Sequence, residues 1–262
     1  MKNIIGGRGG EEAEIISMDE DEAYRRNGNF WDMVGSEALG VTALPQYGAF
    51  VTEEKLHLLG DIADKKILEI GCGNGHSLKY VSEMGASELW GLDISPMQIE
   101  RTREYILSQG IEAKLICAPM EKACGIPEDY FDIVYAVYSI GWTTDLNAVL
   151  GKIASYLKQD GIFIFSWSHP IHKCVTLEDD KLIFCNSYFD ESWYSASVSD
   201  QKIMLSNRKL STYINALAEA GFVVEKLIEE SDQAMIEEAG YNEFSQKARL
   251  LPVTFVIRAR KL

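Results

Sequence analysis

Along this chain of 262 residues the apolar positions switch repeatedly between the close-set runs of buried strands and the 3.6-residue spacing of helices. Ile67, Leu68 and Ile70 form the first run, of the β-branched and aliphatic type found in strands buried on both faces. It leads straight into Gly71, Gly73 and Gly75, then into helical spacing at Leu78, Val81 and Met84, with Gly85 as the stop. A second run, Leu89 to Leu92, ends in Asp93. Ser95 as N-cap, Pro96 at the first helical position and Gln98 three residues on predict a capping box, for a helix reaching Gly110. Strands follow over 113–117, 131–138 and 162–167, and a helix over 145–158 carries Leu146, Val149, Leu150 and Ile153 on one face.

This alternation predicts a doubly wound α/β sheet, mostly parallel, with helices on both faces. The C-terminal end departs from it, with a helix over 211–220 closed by Gly221 and a strand over 222–228. A helical and irregular stretch over 231–251 then precedes a last strand over 252–260. Strands joined without a right-handed helical crossover can pair antiparallel, so the seven-stranded sheet is expected to end in a reversed hairpin. Residues 1–20 are glycine-rich and then acidic, and their start is expected to be poorly ordered. A helix is expected to open over 21–26, and Thr52 to cap another over 52–59. The stretch 169–209, at the ligand-binding edge of the sheet, is too long for an ordinary connection and reads as either a functional lid or a small structural cap, and its aromatic residues favour an ordered lid. The chain thus divides into an N-terminal segment and cap, 1–51, and a main domain, 52–262, that carries the lid insertion 169–209.

The glycines sit where strand becomes helix, where backbone approaches a ligand closely and helix N–H groups point outward. The dinucleotide fingerprint G-x-G-x-x-G fits only in part, because His76 stands where its third glycine belongs. Glu69 also lies in the strand just before the first glycine, and a carboxylate there repels a pyrophosphate. It suits a ligand with an ammonium and a sulfonium, so charge favours S-adenosylmethionine over NAD. The bland reading is a glycine turn with no ligand at all.

The run E-I-G-C-G-N-G, Glu69 to Gly75, followed by G-L-D, Gly91 to Asp93, resembles the first two cofactor motifs of class I S-adenosylmethionine-dependent methyltransferases. The resemblance covers about 52–168 and 209–262, and implies the Rossmann-like sheet order with its reversed terminal hairpin. It implies that Gly71, Cys72, Gly73 and Gly75 cradle the methionine portion of the cofactor, with Glu69 acting on its amino group. Asp93 would accept from both ribose hydroxyls, with Ile94 and Met97 on the adenine and with Tyr138 and Ser139 near the sulfonium. An acid just after the third strand commonly meets the adenine amino group in this family. Here the run is Cys117-Ala118-Pro119-Met120-Glu121, so backbone at Met120 or a displaced carboxylate at Glu121 is expected instead, against a solvated surface acid.

Methyl transfer asks mainly for alignment of nucleophile, methyl carbon and sulfur, plus removal of a proton where needed, so a fixed catalytic triad is not demanded. His169 directly follows the fifth strand and is the candidate base or substrate ligand, although His169-Pro170 also reads as a turn that launches the insertion. Trp31, Tyr47, Trp142, Tyr188 and Tyr194 are the pocket candidates, each with core packing as the competing role. His57 and His76 read as helix-surface residues.

Composition narrows the partners. With 25 basic and 40 acidic side chains the net charge is −15, which argues against nucleic acid and anionic membranes. Five cysteines without a C-x-x-C pair give no zinc spacing and no disulfide framework, so a reducing cytoplasm fits. No apolar run is long enough to span a membrane. The expectation is therefore a cytoplasmic methyltransferase, monomer or homodimer, that holds no metal. It would move a methyl group to O or N of a small apolar or aromatic molecule and release S-adenosyl-L-homocysteine. The alternatives are a non-catalytic cofactor-binding scaffold or sensor and an NAD-dependent oxidoreductase.

Overall fold

The computed structural model describes residues 14–35, 42–198 and 200–262. The first thirteen residues, which include the start expected to be poorly ordered, lie outside them. The N-terminal part forms β1 (Glu14–Ile15), α1 (Glu20–Met33) and α2 (Glu53–Leu56). The alternating units are β2 (Lys66–Ile70), α3 (His76–Glu83), β3 (Glu88–Asp93), α4 (Pro96–Ser108), β4 (Lys114–Cys117) and β5 (Phe131–Val137), then α5 (Leu146–Tyr156) and β6 (Leu157–Ser168). The insertion contributes two hairpins, β7 (Val175–Glu178) with β8 (Lys181–Phe184) and β9 (Trp193–Val198) with β10 (Gln201–Ser206). The chain closes with α6 (Leu210–Glu219), β11 (Phe222–Ile228), α7 (Gln233–Glu238), α8 (Glu243–Ala248) and β12 (Thr254–Lys261).

The main sheet has the strand order β11-β12-β6-β5-β2-β3-β4. β2 pairs in parallel with β3 and β5, while β12 runs antiparallel to both β6 and β11. The reversal is thus a single strand slotted between two others, and the expected Rossmann-like α/β sheet is present. Alternation along β2 sends Leu68 and Ile70 into the core on one face and Ile67 into the core on the other.

Three boundaries differ from the sequence pattern, each for a local reason. The helix expected over 52–59 stops at Leu56, because the Glu53 carboxylate accepts from the amides of Leu58 (2.9 Å) and Leu59 (2.9 Å). The helix expected to reach Lys158 ends at Tyr156, because Leu157 already pairs with Phe131 in the sheet. Only half of the capping box at Ser95 forms. Ser95 Oγ accepts from the Gln98 amide, but the Ser95 amide donates to Asp93 Oδ1 (2.9 Å), which leaves the Gln98 side chain free for another task.

That task is to hold α1. Gln98 Nε2 donates to the carbonyls of Trp31 (2.7 Å) and Val34 (2.9 Å), satisfying orphan acceptors at the C-terminal end of α1. Ser95 Oγ donates to Asp32 Oδ1 (2.6 Å). On its other side α1 meets the insertion, where Asn27 donates from Nδ2 to the Met204 carbonyl (2.8 Å) and accepts the Met204 amide on Oδ1 (2.9 Å). The second hairpin of the insertion therefore buttresses α1, and α1 covers the C-terminal ends of β2 and β3.

Candidate active site

A cleft opens where β2, β3 and β5 end. Its floor is the turn after β2. Gly71 has φ +74°, and a Cβ there would lie 2.3 Å from Ser139 Cβ, so only glycine lets this turn pass beneath the β5 end. Ser139 Oγ in turn donates to the Ile70 carbonyl (2.5 Å), which ties the two strand ends together. Gly73 N donates to Asp93 Oδ2 (2.9 Å), so both oxygens of Asp93 already accept one backbone amide and keep lone pairs toward the cleft.

Glu69, Asp93 and Glu121 all line this cleft, and all are buried. Burial pushes the Glu69 carboxyl well above the usual carboxylate range, against hydrogen bonds from Ser77 and from Tyr135, whose hydroxyl lies 3.2 Å from Oε2. Burial likewise raises Asp93 from 3.8 to about 6, opposed by the amides of Ser95, Gly73 and Ile94. Glu121 Oε1 accepts from the Thr144 amide (2.7 Å) and from Thr143 Oγ1. No lysine, arginine or histidine is among the described residues that line the cleft. Buried carboxylates without cationic partners are costly, and a positively charged ligand relieves them. The cleft fits S-adenosylmethionine in this respect, as a pyrophosphate cofactor would not.

The remaining expected residues divide cleanly. Cys72, Ile94, Met120, Tyr138, Trp31 and Trp142 line the same cleft. Gly75 and Met97 do not. Gly75 is the left-handed N-cap of α3, and Met97 is 46% exposed on α4. Tyr47 is fully buried and donates to Glu53 Oε2 (2.8 Å), away from the cleft. His169 is buried beside β12. Its Nε2 lies 2.7 Å from Glu229 Oε1 and its Nδ1 accepts the Ile171 amide (3.2 Å), so both ring nitrogens are engaged outside the cleft. Tyr188 and Tyr194 line a separate cavity in the insertion.

Tyr24 and Asn27 also line the cleft and were missed. With Trp31 they stand at i, i+3 and i+7 on one face of α1, and the signal for them was a polar Asn27 between the apolar Ala23 and Phe30. Trp31 and Trp142 meet edge to face with ring centroids 5.1 Å apart, and Phe30 stacks on Trp142 at 5.7 Å. The roof of the cleft is thus aromatic and its floor carries carboxylates. No group of three or more His, Cys, Asp or Glu residues that could hold a metal occurs among the described residues, and all five cysteines are free. No helix among them is long and apolar enough to cross a membrane.

Known proteins resemble this chain over the same region. Residues 68–165 match the methyltransferase domain family. An uncharacterised protein of Haemophilus influenzae is 28% identical over 219 residues, which cover 79% of this chain and 85% of that protein. A sterol 24-C-methyltransferase of Aspergillus fumigatus is 29% identical over 127 residues, 47% of this chain but only 34% of the relative's own length. The solved structure of an S-adenosylmethionine dependent methyltransferase from Mesorhizobium loti shares the fold, with a TM-score of 0.67 over 79% of this chain and 95% of that one at 23% identity. The domain match over 68–165, the shared fold and the charge pattern of the cleft agree on an S-adenosylmethionine-dependent methyltransferase, an enzyme whose cofactor is S-adenosylmethionine.

Proposed function

We propose that this enzyme methylates O or N of a small apolar or aromatic molecule, bound beneath α1 beside Ser139. The cofactor supplies an activated methyl group, and the chain's own residues bind and align. In this reading Glu69 meets the ammonium group, Asp93 takes the two ribose hydroxyls, and Ile94 and Met120 pack on the adenine. The observation that carries the acceptor class is the Trp31–Trp142 pair that lines the cleft, backed from the core by Phe30, combined with the lack of any basic side chain among the described lining residues. An anionic group inside the cleft would face Glu69, Asp93 and Glu121, whereas a flat apolar group gains ring contacts. Because His169 is engaged by Glu229, alignment carries the rate and no histidine base is assigned.

Carbon methylation is the second reading, favoured by the sterol 24-C-methyltransferase relative. Both are tested by incubating the enzyme with a panel of phenols, aryl amines and isoprenoid alkenes and with cofactor carrying a ¹³C methyl group. The ¹³C chemical shift of the product separates methyl on O, N and C. Transfer to charged, hydrophilic acceptors alone would refute the apolar-acceptor reading.

A further inference from the structure

The insertion opens with a short 3-10 turn, Pro170–Cys174, which leads into the hairpin of β7 and β8. Asp179 and Asp180 make the two-residue turn of that hairpin, both with positive φ (48° and 59°), the conformation that matches the twist of paired antiparallel strands. The turn fixes the register from Glu178 opposite Lys181 out to Val175 opposite Phe184. One step further out, Cys174 stands opposite Cys185.

Two observations make this more than a chance meeting of cysteines. The first is pairing. The Cys185 amide donates to the Cys174 carbonyl (2.8 Å), so the ladder continues through the pair. Opposed residues of antiparallel strands have Cα atoms about 4.5–5.5 Å apart, within the span that a disulfide bridges. Cys185 Sγ donates to the same carbonyl (3.4 Å), so its thiol lies over Cys174. Asn186 holds it there, donating from Nδ2 to Cys185 Sγ (3.4 Å) and to the Lys173 carbonyl (3.3 Å). The second is access. Cys185 is exposed and Cys174 is buried, so a dissolved oxidant meets Cys185 first, with a second thiol already behind it.

We propose that Cys174 and Cys185 are a reversible thiol–disulfide site, oxidised by a low-molecular-weight disulfide such as that of glutathione. The Cys185 thiolate attacks one sulfur of that disulfide, forms a mixed disulfide and expels one small thiolate. The Cys174 thiolate then attacks Cys185 Sγ, forms the Cys174–Cys185 bond and expels the second. Two protein thiols lose two protons and two electrons, and the small disulfide gains them as two thiols. The bond closes the open end of the hairpin and joins the turn after β6 to the segment that leads into β9. A thiol reductant reverses it, because an exposed bond of this kind is labile. No described residue of the insertion lines the cofactor cleft, so the site is independent of which acceptor the enzyme methylates.

The test is mass spectrometry of the full chain after incubation with oxidised glutathione, with the remaining thiols alkylated in denaturant. Of its five cysteines the wild type is expected to lose two from alkylation together, Cys174 and Cys185. Trypsin cuts after Lys181, so the bond shows as one peptide with Cys174 joined to another with Cys185, and the two part on reduction. In Cys174→Ser, Cys185 should stop at the glutathione adduct. In Cys185→Ser, Cys174 should stay open to alkylation. The wild-type peptide map decides the matter if the buried Cys174→Ser fails to fold. Amide exchange over 175–184 should slow on oxidation of the wild type and not of Cys185→Ser. Alkylation of both cysteines in the treated wild type, glutathione retained on Cys185, or a bond from Cys185 to any other cysteine overturns the proposal.

Discussion

In the proposed cofactor site, Gly71 and Asp93 are the two residues that matter most. Gly71 has φ +74°, and a methyl group added to it would stand 2.3 Å from Ser139 Cβ. Gly71→Ala is therefore expected to lower stability by about 1–3 kcal/mol and to abolish S-adenosylhomocysteine binding. Chemical denaturation and calorimetry read the two effects. Asp93 sets a pH dependence. Its raised value means that the ligand-free folded protein holds a proton which the unfolded chain releases between pH 3.8 and about 6, so this group's contribution to stability falls as pH rises through that window. Ribose hydroxyls need the carboxylate as acceptor, so cofactor affinity should run the other way, weakening as pH falls through about 6 and levelling above it. Asp93→Asn should flatten that component of the profile. These residues were legible because a glycine turn and a strand-end acid carry their chemistry in their identity. Met97 and Gly75 were drawn from the same motif, yet side-chain direction on a helix start is not written in spacing.

Among the elements, α1 is the one proposed to shape the acceptor side, and Gln98 is one of several side chains that hold its C-terminal end, with Ser95 and Arg101. Gln98 satisfies two carbonyls at the end of α1, at 2.7 and 2.9 Å. Gln98→Ala removes one of two donors from each carbonyl, since Val34 O also accepts from Arg101 Nη1 and Trp31 O from the Val34 amide, at about 1 kcal/mol. Amide exchange over 20–33 should quicken, and S-adenosylhomocysteine affinity should fall several-fold, while exchange in β2 and β5 stays slow. Equal protection of α1 in the two proteins would refute the role given to Gln98. The sheet strands were readable because runs such as Phe131–Val137 are buried throughout. The use of Gln98 was not, since a capping box and a long-range clamp ask for the same residue. The insertion was expected as a lid or cap, and none of its described residues lines the cleft. Its docking through Asn27 and Met204, 177 residues apart, was not legible.

For the molecule as a whole, charge and topology set the partners. A net charge of −15 disfavours attraction to phosphate, and the proposed small-molecule function predicts that a fluorescent DNA duplex shows no change in anisotropy with added enzyme at physiological ionic strength. The seven-strand order brings Gly71, Asp93, Glu121 and Ser139 to one edge although they span about 70 residues of sequence, and the domain match over 68–165 covers just this part. The account stands or falls on that edge binding a sulfonium cofactor, and calorimetric titration of S-adenosylhomocysteine into the wild type and Asp93→Ala tests it most directly. Two hydrogen bonds to a charged group are worth about 1.5–3 kcal/mol each, so saturable binding to the wild type should weaken by about 100-fold or more in the variant. Equal affinity in the two proteins, or no binding to the wild type, would contradict the account.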